Sequence, residues 1–370
     1  MLSATAPIVL LLHGGLDNLS GKTGLALLRY RPGPIVAVVD PGHAGGSLEA
    51  ITGIRRSVPV VGDLRSSLAY GPQVAVVGLA PSGGTLPAGL RNDLLVALDA
   101  GLSVASGLHT RLGDDPELAA QCQPDRWIWD LRKEPPGLEV ASGQAAGLGG
   151  QRILTLGTDM AVGKMSACLE LVAAARRQGC AARFVGTGQA GILISGAGVP
   201  LDAVRVDYAA GAVEQAVLQA AAGAGPNATL FVEGQGSLCH PGSSASLPLI
   251  RGCQPTGFLL VHRAGQTHVK NHPSIPLPPL AELIATIEQL ATLGRSDPAS
   301  PAPQVRAVAL NTALLSEAEA QSQAAAIETE TGLTCADPVR SSAAADRLLE
   351  AIRASEGIRT PVWRHHKPLP

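Results

Sequence analysis

Charge is scarce in this sequence: Asp, Glu, Lys and Arg make up 16% of 370 residues, and 28 basic against 30 acidic side chains leave a net charge of −2. Without a basic field to attract a phosphate backbone, nucleic acid is not an expected partner. Long hydrophobic runs are missing too. The apolar stretch at residues 8–12 falls far short of the ~20 residues that span a bilayer, and it has no basic flank or cleavage site. Paired cysteine spacing is also absent: Cys122, Cys168, Cys180, Cys239, Cys253 and Cys335 are scattered with no C-x-x-C. They read as reduced thiols. These absences predict a soluble cytoplasmic protein that acts on small molecules and touches neither nucleic acid nor membrane.

Hydrophobic residues (46%) and glycine (43 residues) are plentiful, a composition suited to many tight strand-to-helix turns. At roughly 150 residues per domain, the length predicts two domains. In the first half, "PIVLLL", "IVAVVD", "VPVVG" and "VAVVGLA" read as buried parallel strands, separated by "KTGLALLRY", "LRSSLAY" and "GLRNDLLVALDAG" of helical period. Residues 135–150 are rich in Pro, Gly, Ala and Ser, and the boundary is placed there. Beyond it, "RILTLG", "AARFVGTG", "ATLFVEG", "GFLLVH" and "VRAVALNT" read as strands, and 164–178, 207–222 and 280–293 as helices. The fold class is α/β: a Rossmann-like parallel-sheet domain at 1–145, then a P-loop NTPase-like α/β domain at 146–370. The end of the chain reads as irregular. His365 and His366 in it are metal ligands by pattern only, and a solvated pair is the plainer reading.

"GTDMAVGKMS", residues 157–166, carries the chemistry. A strand enters a glycine-rich turn that opens into a helix, so successive N–H groups converge on one anion. Gly157, Thr158, Asp159, Ala161, Val162, Gly163, Lys164, Met165 and Ser166 form the expected phosphate loop, with Lys164 meeting the phosphate oxygens. Met165 stands where magnesium usually finds a hydroxyl. Ser166, one residue on, is the candidate metal ligand, paired with Glu233 at the end of "TLFVE". Other strand ends supply Thr187, Gln189, Gln235 and Ser237 as substrate contacts and Asn311 as a contact to a base edge. Thr187, Gln189 and Asn311 can instead be turn formers that bond their own backbone. His240 and His262 are candidate proton acceptors, and Arg263 is a candidate clamp for a carboxylate or phosphate.

The first half holds a second pattern, Gly21-Lys22-Thr23 after a strand and two glycines. It reads either as another phosphate loop or as a loop capped by Ser20 ahead of a helix. "GLAPSGG" and "SGLHTRLGDDPEL" lie beyond strand ends in that half, with His109 as a candidate base.

The phosphate loop resembles the variant "GTD…VGK" loop of dethiobiotin synthetase, and "VEGQG" resembles that enzyme's acidic strand end. Together with "GTGQAGI", "LVHRAGQTH", "ALNT" and the N-terminal motifs, it also resembles a bacterial family long catalogued as a domain of unknown function. One member of that family is described as a D-glutamate N-acetyltransferase. The resemblance covers residues 5–350 and includes the Lys-Met-Ser variant. It implies N-acyl transfer from acetyl-CoA to a small acidic amino acid, with the loop gripping the pyrophosphate. A homo-oligomer is the expected assembly. ATP- and Mg²⁺-dependent carboxylate activation and a non-catalytic nucleotide sensor are the competing readings.

Overall fold

The structure, a computed structural model, describes residues 2–3, 5–80 and 86–354. The tail histidines and part of "GLAPSGG" lie outside these. In the first half, β1 (Ile8–Leu11), β2 (Ile35–Val39), β3 (Val60–Val61), β4 (Val74–Val77), β5 (Ser103–Ser106) and β6 (Ile128–Asp130) form a sheet of order β3-β2-β1-β4-β5-β6. Every pairing is parallel. α1 (Lys22–Tyr30), α2 (Leu48–Thr52), α3 (Leu64–Ser67), α4 (Ala88–Asp99) and α5 (Pro116–Gln121) join the strands. The central strands β1 and β4 are buried at every position, because helices cover both faces of the sheet.

The second sheet is also wholly parallel, in the order β12-β11-β10-β7-β9-β8. Its strands are β7 (Gln151–Gly157), β8 (Ala182–Val185), β9 (Thr229–Val232), β10 (Gly257–Arg263), β11 (Gln304–Asn311) and β12 (Cys335–Ala336). Its helices are α6 (Lys164–Arg177), α7 (Gln189–Ser195), α8 (Val206–Ala221), α9 (Ser246–Cys253), α10 (Leu280–Leu293), α11 (Glu317–Thr331) and α12 (Ser342–Ala354). The expected two-domain α/β architecture is present: a Rossmann-like sheet followed by a P-loop domain. α7, α9, α11 and α12 here, and α2 and α5 in the first domain, lie outside the helices read from the sequence. α11 has almost no apolar stripe, and only Ala320 and Ile327 in it are buried.

The domains are fused rather than tethered. Ile192, Leu193 and Ile194 of α7 are buried in the core beneath α1 and the first sheet, with Met165 and Leu169 of α6 packed against it. Full burial of such a side chain stabilises by about 1.5–3 kcal/mol. Arg31, at 2% exposure, donates from Nη1 to Leu193 O at 3.1 Å and from Nη2 to Ser3 O at 2.8 Å. Burial holds its pKa below the ordinary arginine value. Arg132 adds a second tie, donating to Gly107 O at 2.7 Å and pairing with Asp202.

Candidate active site at the phosphate loop

β7 is a central strand, flanked by β9 and β10, and its last residue Gly157 opens the loop that ends at Gly163 (φ 115). A Cβ on Gly157 would come within 2.9 Å of Lys164 Nζ, so the strand end must be bare for the lysine to fold back over it. Ala161 holds a left-handed φ of 53, a costly conformation for a residue with a Cβ and one concentrated at ligand sites. The N–H groups from Ala161 to Ser166 find no acceptor among the described residues, and α6 has no side-chain cap. Open donors at the start of a fourteen-residue helix form a ready nest for an anion.

Side chains hold this nest in shape. Lys164 is buried and donates from Nζ to Asp159 O at 2.8 Å. Asp159, fully buried, accepts from Met160 N, from Gln266 Nε2 and from Lys270 N, each at 2.6 Å. Thr158 Oγ1 is hydrogen-bonded to His262 Nδ1 at 3.0 Å, and Ser237 Oγ donates to Thr158 O at 2.9 Å. Arg263 Nη2 donates to Ala161 O at 2.8 Å, and Asn311 Nδ2 to Val162 O at 2.9 Å. Ser237, Arg263 and Asn311, expected to meet ligand, thus each brace the loop backbone, and His262 braces the loop through the Thr158 hydroxyl. Burial pushes the His262 pKa down, which favours the neutral imidazole. His240 sits nearby with its ring edge-on to His272 at 5.1 Å, its Nδ1 accepting from Gly242 N, and it helps hold the Asp159 carboxyl low.

Glu233 follows β9, next to the loop strand, and is 4% exposed. Its Oε2 accepts from Thr187 N at 2.9 Å and Gly188 N at 3.2 Å, where α7 begins, and Thr187 Oγ1 returns a bond to Glu233 O. Burial pushes the carboxyl up to about 7 against the pull of those N–H groups and of Lys164. Burial likewise brings Lys164 down to about 8, opposed by Glu233 and Asp159. Both groups are therefore poised near neutral pH, as acid–base work requires.

Three of the expected contacts turn toward the other domain. Met165 packs on the Rossmann-like core, and Ser166 sits near the Tyr30 hydroxyl, which meets no partner at bonding geometry among the described residues. Gln189 donates from Nε2 to Thr23 Oγ1 at 3.2 Å and lies against Gly107, where a Cβ would come within 1.9 Å of its Oε1. That Oε1 is buried without a partner among the described residues. Gln235 packs against Gly188, and His109 is exposed two residues beyond Gly107. Sequence reading missed Thr155, whose Oγ1 accepts from Gly234 N at 2.8 Å, and Gln266, although "LVHRAGQTH" contains the latter. It also missed His13, left-handed at φ 39 after β1, with Nε2 3.0 Å from Asp93 Oδ2.

The second lysine motif is built differently. Lys22 is exposed, Asn18 rather than Ser20 supplies the side-chain cap of the turn at Leu19–Gly21, and Gly21 packs on Gly15. These glycines serve close backbone packing.

A cavity of about 410 Å³ opens beside the loop between Gly163, Ser166, Asn311, Leu315, Val339 and Arg340. Larger grooves of about 810 and 960 Å³ lie at the start of β7 and around Trp127 and Trp129. The smaller cavity lies against the loop and the carboxyl ends of β10 and β11, where ligands of open α/β sheets bind. The residues present fit a phosphate-bearing ligand: open N–H groups, a buried lysine and an adjoining cavity.

Fold and loop together define a two-domain protein that couples a Rossmann-like sheet to a P-loop domain. The chain belongs to the DUF1611 family: the P-loop domain of unknown function matches residues 139–349, and the Rossmann-like one matches 41–134. It is 33% identical to a D-glutamate N-acetyltransferase of Tritonibacter scottomollicae over 350 residues, 94% of this chain and 98% of that protein. A D-glutamate N-acetyltransferase of a Pseudoalteromonas species is 33% identical over 278 residues, 73% of this chain and 79% of its own. The crystal structure of a DUF1611 family protein from Anabaena variabilis is 51% identical and superposes with a TM-score of 0.87, covering 95% of this chain and all of that one. No helix among the described residues is long and apolar enough to cross a membrane.

Proposed function

We propose that this protein transfers the acetyl group of acetyl-CoA to the amino nitrogen of a small acidic amino acid, with D-glutamate the acceptor suggested by the names of its relatives. The observation that carries the reading is the buried Lys164–Glu233 pair at the mouth of an open N–H nest, next to the seam between the domains. The nest and Lys164 take the pyrophosphate, which positions the thioester. Glu233, with Oε2 anchored on two N–H groups, uses its other oxygen to take a proton from the acceptor's ammonium group. The freed amine attacks the thioester carbon, the C–N bond forms, the C–S bond breaks, and the second amine proton ends on the departing thiolate. Arg263 keeps the rest of its fork for the acceptor's carboxylate.

Purified protein with acetyl-CoA and D-glutamate is expected to release free CoA thiol and yield N-acetylglutamate, read by thiol titration and mass spectrometry. Thiol release no faster than without the amino acid sinks the proposal. Release of ADP from ATP that depends on both Mg²⁺ and an acid substrate puts carboxylate activation in its place. Met165 weighs against that outcome, since its side chain is packed on the neighbouring domain and offers magnesium no oxygen.

A further inference from the structure

We propose that Lys22 and Arg29, both on the Rossmann-like domain, form a subsite for the ribose 3′-phosphate of coenzyme A; this rests on the acetyl-CoA reading above. A second cavity, about 440 Å³, lies between α1 and the start of α6. It shares Arg29 and Ser166 with the cavity beside the loop, so the two adjoin across that pair. Its floor is apolar, from Leu25, Ile51 and Met165, and its positive charge comes from Lys22 and Arg29. Seven residues apart on α1, these two are two helical turns apart and project on the same side.

Neither cation makes a hydrogen bond or ion pair among the described residues, so an incoming anion displaces no existing partner. Two acidic groups are nearby. Asp17, also on the cavity, is turned to His43 at 3.6 Å, and Glu170 feels Arg29 electrostatically without pairing with it. With the pyrophosphate on the loop, the adenosine leaves past Ser166 toward the cavity that Arg29 bounds. A nucleoside triphosphate places all its phosphates on the loop and brings no charge to this second cavity. Coenzyme A carries a phosphomonoester of nearly two negative charges on its ribose, matched here by an arginine fork and a lysine. The Gly-Lys-Thr pattern of the first domain thus contributes its lysine to the same ligand from the opposite wall.

The test compares CoA with 3′-dephospho-CoA by titration calorimetry on the full chain, in wild type and in Lys22→Gln/Arg29→Gln. The wild type is expected to bind CoA about tenfold more tightly, with the preference shrinking as salt is raised. The double variant is expected to bind both compounds at the dephospho level. Its thermal melt should match wild type, since both side chains are exposed. Equal binding by the wild type, with the acetyl transfer intact, overturns the subsite and leaves the proposed function standing. A double variant that weakens both ligands alike overturns it too. If neither compound binds, the acetyl-CoA reading falls and the subsite with it.

Discussion

The two glycine-lysine loops of this chain share a pattern and differ in where the lysine goes. In 157–166 the lysine is buried, bonded to a carbonyl of its own loop, and backed by N–H groups with no acceptor among the described residues. In the N-terminal loop, Gly15 and Gly21 are consumed by contact with each other, and Gly24, one residue past the motif, packs on Gly78. That leaves Lys22 outside and Thr23 inside, bonded to the other domain. A phosphate loop is thus defined by donors left without partners, a property of backbone geometry that a string of letters carries only indirectly.

The sharpest break in this comparison removes the two lysines in turn. Lys164→Ala is expected to weaken binding of 3′-dephospho-CoA about 100-fold or more, in line with about 3 kcal/mol for a buried charge-assisted contact. Lys22→Ala should leave that ligand's affinity within about twofold. Calorimetric titration reads both, and equal losses would erase the distinction between the loops.

A pair of glycine substitutions tests the same contrast through stability. A Cβ on Gly21 would sit 2.0 Å from Gly15 O, a backbone atom that cannot yield, so Gly21→Ala should cost about 3 kcal/mol. On Gly157 it would meet Val162 Cγ2 at 2.8 Å and Lys164 Nζ at 2.9 Å, ends of side chains that can move, and the backbone Asp159 O only at 3.1 Å, where a shift of a few tenths of an ångström suffices. Gly157→Ala should therefore cost about 1 kcal/mol or less in folding while weakening phosphate binding tenfold or more, since Nζ is what moves. Chemical denaturation and ligand titration on both variants check the crossing.

Much of this was legible in the sequence. Strand, glycine turn, lysine and helix follow one another within seventeen residues of Arg152, and local order is what sequence records best. The partners were not legible. Asn311 bonds a carbonyl 149 residues away, and Gln189 bonds a hydroxyl 166 residues away in the other domain. Met165 looked like damage to a motif because its use, packing on the first domain, exists only after the two sheets meet.

The poised pair gives the next prediction. Below about 7, Glu233 is protonated and accepts no proton from the acceptor; above about 8, Lys164 loses the charge that faces the pyrophosphate. kcat/KM should rise roughly tenfold per pH unit to about 7 and fall beyond about 8, the two limbs belonging to the coupled pair. Glu233→Gln should lower the rate and flatten the acid limb. An acid limb that survives the substitution assigns the base elsewhere.

The smallest expected effect is at the seam where the loops meet. Gln189→Ala removes one bond to Thr23, worth about 1 kcal/mol, and also a buried carbonyl oxygen with no partner, whose loss returns a similar amount. The melting temperature should therefore barely move. If that oxygen instead meets the acceptor's ammonium group, KM for the amino acid should rise several-fold while KM for acetyl-CoA stays fixed. A variant that melts like wild type and leaves both KM values unchanged makes Gln189 only a spacer between the domains. A rise confined to the amino acid makes the seam, rather than either loop alone, the place where the acceptor is chosen.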